Sequence, residues 1–107
     1  MEISKSDWRL YREKITDWQE NYMERLNKEY IDLLSADDKK ASEKFWELAK
    51  RIKNDRRHPG VAMEVSKSDV IFDIVSLIRL AVITYDELAD FSEDLRQSVK
   101  MMLDRYQ

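Results

Sequence analysis

The sequence predicts an all-α fold, an elongated helical bundle of four to five helices that opens with a long N-terminal helix. Three observations predict it. The 107 residues contain one Gly and one Pro, whereas a sheet of this length needs several tight turns, which draw on Gly, Asn and Pro. Large apolar residues recur at spacings of three or four from Trp8 to Leu33, the period of one helical face. Helix-start patterns then recur along the chain, at "SKSD", "TYDE" and "FSED", where a hydroxyl can accept from free backbone N–H groups. The length fits a single domain over residues 1–107 with one modest core.

In the first helix Ser4 or Ser6 can cap, and Ser4-x-x-Asp7 approximates a capping box. Its stripe is Trp8, Tyr11, Ile15, Trp18, Tyr22, Leu26, Tyr30 and Leu33. A helix of roughly 28 residues at ~1.5 Å per residue is ~42 Å long. "SADDKK" is a polar connection. The second helix carries Phe45, Leu48, Ala49 and Ile52 on the face expected to be buried, with Trp46 beside it. Glu47 and Arg51 sit at i,i+4 on its expected outer face. It must end before Pro59, whose ring disfavours a helical His58. Pro59-Gly60 suits a type II turn with Gly at positive φ. Val61, Met63 and Val65 alternate as a brief extended stretch would.

"SKSD" returns at 66–69 as a reused start signal. The apolar helix that follows, to about residue 83, has a narrow polar stripe of Asp69, Asp73 and Ser76, and is expected to pair with the first helix at the centre of the bundle. Thr84-x-x-Glu87 predicts a cap for a short fourth helix. Ser92 caps a last helix whose buried stripe is Leu95, Val99 and Met102 or Leu103.

Several functions are disfavoured by what the chain lacks. With no Cys there is no thiolate zinc site and no Cys nucleophile, and a single His excludes multi-His metal sites. With one Gly there is no Gly-rich phosphate loop. His58, on a charged turn, is poorly held for general-base work. The expectation is a non-enzyme with no cofactor and no metal. The N-terminus has no apolar signal segment, and the apolar run from Val70 to Ile83 is broken by Asp73, Ser76 and Arg79. It is too short and polar for a membrane span, so the expected location is cytoplasmic, without a membrane partner.

Three groups remain as candidate sites. The aromatics Trp8, Tyr11, Trp18 and Tyr22 are of types favoured at binding hot spots. Asp86, Glu87, Asp90, Glu93 and Asp94 form an acidic run without an intervening base, suited either to helix N-termini or to a basic partner. Lys50, Arg51, Lys53, Arg56 and Arg57 stand against Asp55 alone, a local charge of +4 in a chain of net −3. Such a segment complements a helix C-terminus, and it is a candidate contact for nucleic acid or another anion. The leading expectation is a small protein that docks on a protein partner or self-associates. The alternative is a nucleic-acid-binding accessory or regulator using 50–58.

The stretches "YREKITDWQENYMERLNKEYIDLLS", "SEKFWELAKRIKNDRRHPGV" and "VITYDELADFSEDL" resemble an uncharacterised family of small helical proteins from Gram-positive bacteria, some labelled "multidrug transporter". The basic segment with its Pro-Gly break and the Trp/Tyr-rich first helix carry the resemblance. It implies a small helical fold and lends no activity or site residue. The transporter label has no support in these residues.

Overall fold

A computed structural model describes residues 2–106. Among them are four α-helices and no strand: α1 (Lys5–Ser35), α2 (Ala41–Asp55), α3 (Val70–Arg79) and α4 (Glu93–Asp104). Single 3-10 turns occupy Lys67–Asp69 and Tyr85–Leu88. The all-helical class and the long first helix are as the sequence predicts. The chain divides into two compact units, one formed by residues up to Trp18 together with those from Glu64 on, the other by Gln19–Met63. Helix α1 contributes to both.

The first unit holds most of the core. Tyr11, Ile15 and Trp18 of α1 are buried, as are Val70, Ile74, Leu77, Leu88, Phe91, Leu95 and Val99. Trp18 stands edge-on to Tyr11, with ring centroids 6.1 Å apart, and lies 6.3 Å from Phe91, an arrangement favoured by ring quadrupoles. Backbones approach most closely between α3 and α4, so the principal close pair is not α1 with the 68–83 helix. The bulky aromatics of α1 need wider axis spacing.

Capping follows the sequence at two ends. The Asp7 N–H donates to Ser4 Oγ at 3.1 Å, and the Leu95 N–H donates to Ser92 Oγ at 3.2 Å. Asp7 does more than cap. Its carboxylate is buried and accepts from the Ser92 N–H (3.0 Å) and the Ser92 hydroxyl (2.5 Å). The start of α1 is thereby joined to the start of α4. Two other start signals lack a side-chain cap from Ser66 or Thr84: the second "SKSD" forms a 3-10 turn that leads straight into α3, whereas "TYDE" produces only a 3-10 turn. Helix α3 ends earlier than predicted. Val82 N–H donates to Leu77 O (2.8 Å) and Ala81 N–H to Ile78 O (3.1 Å), with Ala81 at φ 60°, a left-handed termination usually given to Gly.

Asp73, expected on a polar stripe, is half-buried, and its Oδ2 has no hydrogen-bond partner among the described residues. Burial, helped by the nearby Asp69 charge, pushes its carboxyl from 3.8 up to about 6. A raised carboxyl pKa means that the folded state holds this proton after the unfolded chain has released it. Asp73 therefore lowers stability progressively from about pH 4 to 6, and the full cost persists above. Asp73→Asn should accordingly gain stability relative to the parent over that window. Urea midpoints at pH 4 and pH 7.5 check this, and a pH-independent difference refutes it.

The second unit is thinner. Gln19 Nε2 donates to Pro59 O (3.0 Å), and His58 stacks on Tyr22 with centroids 4.6 Å apart and planes within 9°. His58 Nδ1 accepts the Gly60 N–H at 3.0 Å, so the imidazole is a structural group of the turn. Gly60 does not have positive φ, which corrects the type II expectation. Its requirement is space, because a Cβ there would overlap the Tyr22 ring, 2.6 Å from Cγ. Gly60→Ala must push Tyr22 off His58, and a loss of ~1–3 kcal/mol is expected, read as a lower urea midpoint. Residues 61–66 turn and then run irregularly without forming a strand.

Candidate interaction face

The segment 41–55 becomes a helix readily: Ala, Glu, Lys, Leu and Arg dominate it, and no Gly or Pro interrupts it. Which face it turns inward is the unexpected feature. Lys44, Leu48, Arg51 and Asp55, at i, i+4, i+7 and i+11, lie toward the 19–35 part of α1. Lys44 Nζ donates to Leu34 O (3.2 Å). The Arg51 guanidinium pairs with Glu29 (3.4 Å) and Asp55 (3.6 Å) and lies 5.4 Å from the Tyr30 ring centroid. Tyr30 donates its hydroxyl to Asp55 Oδ2 at 2.5 Å. Burial and that bond to a carboxylate push the Tyr30 phenol up to about 12. The predicted Glu47–Arg51 pair does not form, since Glu47 takes Lys39 at 2.6 Å.

Of the predicted apolar face only Leu48 lies toward α1, where it is half-buried, and the expectation that Phe45, Ala49 and Ile52 are buried is wrong. Among the described residues of α2 none is buried. Phe45 is 62% exposed, Trp46 69% and Ile52 46%. Phe45 and Trp46 meet edge to face at 4.9 Å, and Ile52 rims a groove of about 290 Å³ beside Leu26 and Val61. The physical reason is the partner surface: Glu29, Tyr30 and the free carbonyl of Leu34 offer polar groups, and long polar side chains satisfy them. A periodicity argument sees that 45, 48, 49 and 52 share a side. It cannot see that α1 presents hydrogen-bonding groups there.

The other candidates are distributed as follows. Tyr11 and Trp18 are core residues, which removes them as a docking surface. Trp8 is half-buried, stacked on Tyr11 at 6.4 Å with the Arg12 guanidinium over it, and Tyr22 is held by His58. The acidic residues are exposed. Asp86 and Glu87 begin the 85–88 turn, Glu93 and Asp94 begin α4, and Asp90 pairs with Lys14 at 3.6 Å. Of the basic group, Arg51 is committed to Glu29 and Asp55, whereas Lys50, Lys53, Arg56 and Arg57 are exposed and form no ion pair among the described residues.

Among the described residues no cluster of His, Asp or Glu could hold a metal ion, and no helix is long and apolar enough to cross a membrane. No family model matches the chain, and no match was found among curated proteins or solved structures.

Proposed function

We propose that this protein acts by docking on protein, without catalysis, through the outward face of α2. One observation carries the reading: a 15-residue helix leaves its own apolar side in solvent, including two adjacent aromatics. Exposed hydrophobic residues scattered singly are ordinary, but a contiguous patch marks an interaction surface. Aromatic residues are also the commonest anchors of protein interfaces. The experiment is photo-crosslinking in living cells with benzoylphenylalanine in place of Trp46. A covalent adduct to protein is expected from position 46 and not from Glu20, an exposed control position in the same unit. Absence of any protein adduct from position 46 overturns the reading.

Lys50, Lys53, Arg56 and Arg57, which form no ion pair among the described residues, support a second reading, contact with an anionic polymer such as nucleic acid. Such contacts would weaken steeply with salt. Fluorescence anisotropy of labelled DNA and RNA at low and near-physiological salt tests it, with Arg56→Glu/Arg57→Glu expected to abolish the signal.

A further inference from the structure

The same face bears on what covers it, and this step rests on the docking reading. Helices of about 15 residues are marginal alone, and most draw their stability from packing an apolar face. Helix α2 is attached to α1 through Lys44, Arg51 and Asp55, so its apolar face needs a partner from outside the chain. We propose that the partner is a second copy of the same chain, with the two α2 helices packed antiparallel about a two-fold axis.

The charges along the helix select that occupant. Glu43 and Lys50, seven residues apart in α2, share one edge of the outward face at about 3.6 residues per turn, and Arg57 follows in the turn just past the C-cap Arg56. This edge is acidic at its N-terminal end and basic at its C-terminal end. A two-fold axis perpendicular to both helices brings like edges together in opposite directions. Centred near Ala49, it sets each Glu43 between Lys50 and Arg57 of the other copy. A parallel pairing would instead bring unlike edges together and set Lys50 beside the Phe45 and Ile52 edge of the other copy.

The same operation acts on the neighbouring stripe of Trp46 and Lys53, also seven apart. Each Lys53 ammonium then lies against the Trp46 ring of the other copy, a cation–π contact. Phe45 comes opposite Ile52, and Ala49, with its small side chain, sits at the crossing where backbones must approach.

The area is sufficient. A buried aromatic contributes 150–250 Å², so the exposed shares of Phe45 and Trp46, with half of Ile52, amount to about 400 Å² of apolar surface per copy. Interfaces are about 56–65% apolar, which scales this to roughly 600–700 Å² per partner. The total is about 1,200–1,400 Å², within the range of specific complexes.

Sedimentation velocity of the full chain, from low micromolar to about 300 µM, spans the dissociation constants such an interface commonly gives. The wild type should sediment at twice the chain mass at the upper end. Phe45→Ser should weaken association about 30-fold, as truncation of a central hot-spot aromatic does. Glu43→Lys and Lys50→Glu/Arg57→Glu each oppose like charges at both ends of the two-fold and should weaken it about 5- to 10-fold. Glu43, Lys50 and Arg57 are exposed and form no ion pair among the described residues, and far-UV circular dichroism checks that these variants fold. Mixing the two charge variants restores opposite charges at both ends and should restore the dimer as a heterodimer.

A wild type that remains monomeric at about 300 µM overturns the second copy as occupant. In that case a position-46 adduct to a different protein would still uphold docking. A dimer indifferent to Phe45→Ser, or charge variants that fail to rescue one another, overturns the α2 pairing.

Discussion

Trp18→Ala is expected to lower the unfolding free energy by about 3–5 kcal/mol, the range for removing a large aromatic from a core. Trp18 is 4% exposed and its ring meets both Tyr11 and Phe91. Truncation leaves a void against two aromatic neighbours that cannot collapse together without leaving their own contacts. Small domains have only about 5–15 kcal/mol to lose, so about a fifth or more of the total is at stake. Urea unfolding followed by far-UV circular dichroism measures it. A loss below about 1 kcal/mol would contradict core placement and return Trp18 to the surface. By contrast, Trp46→Ala should change stability far less, because most of its ring already lies in water.

Asp7→Ala is expected to cost about 2–3 kcal/mol, from the loss of hydrogen bonds to a charged acceptor and a part-buried N–H left unpaired. The Asp7 carboxylate, 4% exposed, takes both the Ser92 N–H and the Ser92 hydroxyl. That hydroxyl oxygen in turn accepts from Leu95 N–H, capping α4. Removing the carboxylate thus frees the hydroxyl to rotate and slackens a second helix start. A double-mutant cycle with Ser92→Ala should return a coupling of about 1.5–3 kcal/mol. Additive effects would show that the two residues act separately.

Much of the fold was legible because it depends on local rules. The α1 stripe, the Ser4 and Ser92 caps and the break at Pro59 follow from spacing, hydroxyl placement and ring sterics. What was not legible depends on partners far away in sequence. Asp7 reads as a capping-box residue, and nothing local announces that Ser92, 85 positions on, takes its carboxylate. Gly60 reads as a turn former, yet its constraint is the face of Tyr22. The candidate face shows the same limit most clearly. Periodicity grouped Phe45 with Ala49 and Ile52, but the polar groups of α1 decided which side of α2 turned inward. The Tyr11 and Trp18 rings were singled out as hot-spot types, and they are instead the centre of the first core.

The division of the chain has a consequence for its synthesis. The second unit is complete once residue 63 has been added. The first unit draws on residues up to Trp18 and on residues from Glu64 through α4, so its core cannot close until Val99 has been made. At about 5–20 residues per second the interval is roughly 2–7 s. Through that time Tyr11, Ile15 and Trp18 line an open aromatic stripe on the nascent chain, and the carboxylate of Asp7 waits for a serine not yet translated. The interior of the finished protein is therefore, during its making, its most adhesive surface, and the order of translation sets how long it stays so.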